Sequence, residues 1–106
     1  DELVTLFAVD SPPAAAAAAW PRSRLRRPSS PEDCLATGDP TLAPLALAAN
    51  HLSEGELPWT IGESLPVDTK WHGAAVTSRE TGDLIGILLV DKDGAKVAGI
   101  PTALLP

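Results

Sequence analysis

In the last third of this chain β-rich apolar runs are set off by polar turn sequences, and no amphipathic helical pattern of adequate length occurs. From Gly73 onward three β-rich runs, Gly73 to Ser78, Asp83 to Val90 and Ala95 to Ile100, are separated by Arg79-Glu80-Thr81-Gly82 and Asp91-Lys92-Asp93-Gly94. Each separator ends in glycine, which accepts the positive φ of a hairpin turn with a G1 bulge, so the pattern predicts an antiparallel meander. Upstream, Leu57 to Gly62 reads as a short strand ended by Gly62, and Glu63 to Lys70 as a loop containing Pro66. Leu42 to Ala49 is apolar, but Pro44 has no amide for a ladder and predicts an edge strand or an irregular run. Asn50 to Glu56 reads as a polar turn. Glu2 to Val9, rich in Leu, Val, Thr and Phe, predicts a strand buried on most of both faces. Pro101 to Pro106 leaves the sheet, with Thr102 placed to cap a helix.

Between the first strand and the rest the polymer changes character. Ser11-Pro12-Pro13 interrupts any strand, because proline cannot donate to a ladder and disfavours helix at the preceding residue. Ala14 to Ala19 is a six-alanine run, short of the roughly 12 to 15 residues an isolated helix needs. Arg22, Arg24, Arg26 and Arg27 follow, and then Pro28-Ser29-Ser30-Pro31. Three parts result: a first strand over residues 1–9, a linker or insertion loop over 10–33, and an antiparallel β domain over 34–106. The expected fold is mainly β, a small antiparallel, partly open barrel or sandwich with a Pro/Ala/Arg-rich insertion loop.

Composition narrows this further. A length of 106 residues makes about one domain. Eleven Pro and eight Gly with one Phe, no Tyr and three Trp argue against a helical bundle, a coiled coil or collagen and imply an aromatic-poor core. The absence of Met, position 1 included, leads us to expect a processed piece of a longer product. No apolar run approaches the roughly 20 residues of a helical membrane span. Fourteen acidic side chains face eight basic ones, and half of the basic ones lie in Arg22 to Arg27. This asymmetry implies either that the basic segment folds over the acidic body or that it reaches for an anionic partner. Nucleic acid is not the expected partner, because the segment lacks interleaved aromatics beyond Trp20 and the acidic remainder repels phosphates.

The residues able to carry chemistry are few. His51 and His72 stand in no metal-ligand pattern, and Asp68, four residues before His72, lies on a loop where that spacing fixes no geometry. Ser64 lacks the second glycine of a nucleophile elbow and reads as a turn serine. Cys34 is the single cysteine, unable to form an intrachain disulfide, and the preceding Glu32 and Asp33 disfavour its thiolate. Asp91-x-Asp93-Gly94 lacks the remaining ligands of a calcium loop and reads as a hairpin turn. Neither a phosphate-cradling Gly-rich loop nor any other cofactor motif is present, so no cofactor and no metal are expected. Arg26-Arg27-Pro28-Ser29-Ser30-Pro31 has the form of a site for a basophilic kinase.

From Leu42 onward the order of short motifs resembles the second half of a trypsin-like peptidase domain of the Deg/HtrA type. Ala43-Pro44-Leu45-Ala46-Leu47 precedes Gly55-Glu56-Leu57-Pro58-Trp59-Thr60-Ile61-Gly62. Lys70-Trp71-His72-Gly73-Ala74-Ala75-Val76 stands at the nucleophile segment, Gly82-Asp83-Leu84-Ile85-Gly86-Ile87 at the hairpin after it, and Val97-Ala98-Gly99-Ile100-Pro101 at the end. Where that family places its serine this chain has His72, and Lys70 stands two residues before it in place of glycine. An imidazole there cannot supply the acyl-accepting hydroxyl. The resemblance therefore implies a barrel without a nucleophile, a pseudopeptidase half-domain.

The same residues also resemble a CBS-type small-ligand module, through Ala74-Ala75-Val76 and Thr81-Gly82-Asp83-Leu84-Ile85-Gly86-Ile87-Leu88, although such modules pair their strands with amphipathic helices. The expected function is a non-catalytic protein-interaction or regulatory domain of a larger protein, with a protein or peptide partner. The alternatives are the CBS-type module and a fragment of an active serine peptidase whose triad lies outside this chain. The expected binding residues are Trp59, Trp71 and His72, the two tryptophans as exposed aromatic anchors flanking a vacated cleft. A plainer reading makes both indoles covers for the end of a small core.

Overall fold

The structure, a computed structural model, describes residues 2–6, 19–53 and 57–106. Two antiparallel sheets account for its strands. The larger has six, in the order β4 (Leu45–Leu47), β3 (Cys34–Thr37), β6 (Ala75–Ser78), β7 (Leu84–Asp91), β8 (Gly94–Gly99) and β5 (Trp59–Ile61). It is a strongly curled half-barrel, in keeping with the small, partly open antiparallel barrel expected. The smaller sheet pairs β1 (Leu3–Val4) with β2 (Trp20–Pro21). All the described helical segments are three-residue 3-10 turns.

The β6-β7-β8 meander forms as its turn chemistry requires. Gly82 and Gly94 hold φ of +77° and +137°, values that other residues adopt only under strain. In the first turn the Ser78 hydroxyl accepts from the amides of Glu80 and Thr81 (3.2 Å each), and the Gly82 amide donates to Ser78 O at 2.9 Å. In the second, Asp91 Oδ1 accepts from the Asp93 amide at 2.8 Å, so Asp91-x-Asp93-Gly94 is a hairpin turn.

Curling begins at a bulge. Val76 pairs with Gly86 but Thr77 with Leu84, leaving Ile85 as the extra residue on β7. A one-residue insertion reverses which face a side chain meets. Ile85 accordingly shares the main core with Leu88 and Val90, while Leu84 enters a second cluster with Val4, Leu25, Ala75 and Ile100. Next to the bulge, a Cβ on Gly86 would strike the Ala98 carbonyl oxygen, so this position has room only for glycine.

Strand β4 is an edge, in keeping with Pro44 at its start, and β5 is the other. The gap between them is narrowed from within the chain. After β4, residues 49–51 make a 3-10 turn, Leu52 bridges Ile61, and Gly62 N–H donates to His51 O at 2.9 Å. The polar turn expected from Asn50 thus pairs with β5.

Two expectations are corrected. The strand expected over Glu2 to Val9 is two residues long among those described, and Leu3 is exposed while Val4 is buried. Leu3 faces Pro21 and Val4 faces Trp20, and the Arg22 amide donates to Glu2 O beyond them. Residues 7–18, which include Phe7 and Ala14 to Ala18, lie outside the described residues. Thr102 caps nothing. It sits inside the 3-10 turn Thr102–Leu104, which Pro101 precedes without a side-chain cap. The described end of the insertion is a strap packed on the barrel, the first of the two alternatives that its charge posed, for reasons that lie in its arginines.

Candidate functional site

Asp68 Oδ1 accepts from the Lys70 amide at 2.9 Å and starts a 3-10 turn over Thr69–Trp71. His72 closes this turn, and Gly73, at φ +87°, redirects the chain into β6. Asp68 does not reach His72. The imidazole Nδ1 instead accepts the Val90 amide at 2.9 Å, which places the proton of a neutral ring on Nε2. That nitrogen is buried and has no hydrogen-bond partner among the described residues. His72 thus ties the turn to β7, and its Nδ1 lone pair is already used.

Trp59 and Trp71 are corrected from exposed anchors to core residues, 1% and 8% exposed. Both belong to the main apolar cluster. Trp71 covers Gly38, where its ring would lie 3.4 Å from an added Cβ. The reason is supply: in so aromatic-poor a chain, the two indoles are the largest side chains available to fill a half-barrel. The three expected binding residues therefore do not form one exposed surface.

Of the remaining candidates, Cys34 is held in the framework, whereas Ser64 lies on the surface and His51 Nδ1 is buried without a hydrogen-bond partner among the described residues. Cys34 is fully buried, and its thiol donates to Glu32 O at 3.1 Å. Burial, then the charges of Glu32 and Asp33, push its pKa up to about 12. Ser64 is exposed on a turn. No group of three or more His, Cys, Asp or Glu able to hold a metal occurs among the described residues.

The most densely bonded polar site lies elsewhere, at the arginine strap. Arg26 clasps Glu32 with two nitrogens (Nη1–Oε2 3.1 Å, Nη2–Oε1 2.8 Å) and reaches Asp83 Oδ2 with Nε at 3.2 Å. Arg24 Nε lies 2.9 Å from Asp83 Oδ1, and its Nη2 donates to Thr81 O at 2.7 Å. Thr81 Oγ1 adds a donor to Asp83 Oδ2 at 3.0 Å. Arg27 donates to Ile100 O at 2.8 Å, and Arg22 to the carbonyls of Ala103, Leu104 and Leu105 at 3.0 Å each. All four arginines thus bind this chain, and of the two alternatives posed by the charge asymmetry the structure shows the first.

These contacts set the local electrostatics. The Arg26 hydrogen bonds hold the Glu32 carboxyl below its ordinary range, against the cost of its partial burial. Desolvation raises Asp83, but hydrogen bonds from Thr81 and Arg26 and the charges of Arg24 and Arg26 outweigh it, and the net direction is down. Arg26 is raised, first by its bond to Glu32. The sequence hinted at this network only through its uneven charge; Glu32 and Asp83 as partners were not legible. Beside it opens a cleft of about 510 Å³ lined by Glu32, Asp33, Ala49, Ser78, Arg79 and Glu80.

No protein-family model, curated protein or solved structure was found to match this chain.

Proposed function

We propose that this chain is a non-catalytic protein-interaction domain that works as part of a larger protein. One observation carries the reading: three side chains with reactive potential, those of His72, Cys34 and Ser78, are employed in structure. His72 Nδ1 holds the Val90 amide, the Cys34 thiol is buried and hard to ionise, and the Ser78 hydroxyl holds two amides of its turn. A nucleophile needs a free lone pair beside a base with a proton site open. The polar surface around the strap, by contrast, pairs extended chain with a barrel wall, which is the work of a recognition module.

The degenerate-peptidase origin remains part of this proposal, supported by the motif order and by His72 on the turn that leads into β6. The CBS-type reading draws no support from the described residues, whose helical segments are three-residue 3-10 turns. The test is incubation with a serine-directed fluorophosphonate and with peptide and ester substrates. We expect no labelling and no turnover. Stoichiometric labelling would sink the reading and identify the serine responsible.

A further inference from the structure

Strand β8 leaves β7 early. Gly99 pairs with Gly86, and the chain then turns away through Ile100 and Pro101, so the start of β7 has no β8 residue beside it. The strap fills that slot. Leu25 bridges Leu84 in parallel, and the Arg26 amide donates to Leu84 O at 3.1 Å. The Leu25 side chain is 3% exposed, in the pocket formed by Val4, Ala75, Leu84 and Ile100. On either side the arginines meet complementary groups: Arg24 and Arg26 meet Asp83, Arg26 also meets Glu32, and Arg27 meets the Ile100 carbonyl.

An apolar pocket for one side chain, a strand edge supplying main-chain bonds, and carboxylates spaced for flanking cations are the parts of a strand-addition peptide site. We propose that the slot beside Leu84 is a receptor for a peptide with a leucine between arginines, extended from that leucine onward, and that Arg22–Arg27, a 3-10 turn over Arg22–Arg24 that runs into extended Leu25, is its occupant in cis. The proposal rests on the protein-interaction reading and names its partner: an Arg-x-Arg-Leu-Arg segment of another protein displaces the strap. Two features suit exchange. The arginines that fasten the strap keep part of their surface in water, and it is followed by Pro28-Ser29-Ser30-Pro31, in which both serines are exposed. Charge complementarity sets the choice of peptide, and the leucine pocket sets its register.

The test uses the full chain and a fluorescein-labelled synthetic peptide copying Trp20 to Pro28. With Leu25→Ala and Arg26→Ala introduced together to weaken the cis strap, anisotropy at about 0.15 M salt is expected to show binding about tenfold tighter than to the unmodified chain. Adding Asp83→Asn to that variant should remove most of the gain. A peptide with serine in place of leucine should bind at least about tenfold more weakly. Equal binding of the serine peptide, or binding indifferent to Asp83, overturns the proposal by reducing it to charge attraction.

If the double variant does not fold, hydrogen exchange on the unmodified chain decides. Excess peptide should speed exchange of the Arg26 amide, and unchanged exchange overturns the proposal. Failure here with no fluorophosphonate labelling defeats the groove alone, whereas labelling defeats the protein-interaction reading beneath it.

Discussion

Arg26 and Asp83 lie 57 residues apart in the chain and meet at 3.2 Å, Nε to Oδ2. Because the same guanidinium grips Glu32 at the entrance to β3, one side chain fastens the strap to two strands of the barrel. All three groups keep part of their surface in water, so solvent and salt screen the pairs. Removing a partner leaves two cations short of a ligand rather than a deeply buried charge.

Asp83→Ala is therefore expected to cost about 1 kcal/mol, read as a lower urea midpoint. The loss should shrink as salt is raised. A midpoint unchanged at low salt would contradict the bonding described for this carboxylate.

The network also carries a pH dependence with a defined sign. Glu32 and Asp83 are lowered on folding, so their contribution is fully present above the ordinary carboxylate range and is lost as pH falls through their folded-state values. Arg26 is raised, so its contribution is already complete at all pH values below the ordinary arginine range. Urea midpoints between about pH 6 and pH 3, across the carboxylate range, should fall more steeply for the natural chain than for Glu32→Gln. Parallel curves would count against the Arg26–Glu32 bond as a source of stability.

Two glycine substitutions should separate backbone conformation from crowding. Gly94→Ala meets open space but a φ of +137°, and a strain cost of about 1 kcal/mol is expected. Gly86→Ala places a methyl against the Ala98 carbonyl in the centre of the sheet, and should cost about 2 kcal/mol or more as β7 and β8 move apart. Chemical denaturation measures both; a milder effect at Gly86 than at Gly94 would refute the close approach.

Trp71→Ala is expected to destabilise by about 3 to 5 kcal/mol, because it empties a buried site over Gly38. The check is thermal or urea unfolding followed by Trp fluorescence and circular dichroism. A loss below about 1 kcal/mol would return Trp71 to the surface role that the sequence suggested.

Cys34 should resist thiol reagents in the folded protein at neutral pH, since its pKa stands at about 12 and its sulfur is fully buried. Labelling with a coloured disulfide reagent should become rapid only in denaturant. Fast native labelling would show that β3 opens readily.

The β6-β7-β8 meander was legible in the sequence because its determinants are local: short β-rich apolar runs and glycines at Gly82 and Gly94, where the turn itself demands positive φ. The edge position of β4 was legible for the same reason, since Pro44 acts on its own ladder. What the residues by themselves could not decide is which distant groups meet. Val76/Thr77 opposite Ile85 is a bulge only once β6 and β7 are paired, and that bulge divides Leu84 from Ile85 and so creates the second apolar cluster. The fate of Trp59 and Trp71 depended on how far the sheet curls, because an indole suits a rim and a core equally until the volume to be filled is known. The strap is the clearest case. Composition allowed Arg22 to Arg27 to reach outward or fold inward, and the choice rests on Glu32, Asp83 and the carbonyls from Ile100 to Leu105, brought beside it by tertiary packing. Charge is a property of residues, but ion pairing is a property of distance, and distance exists only in the folded chain.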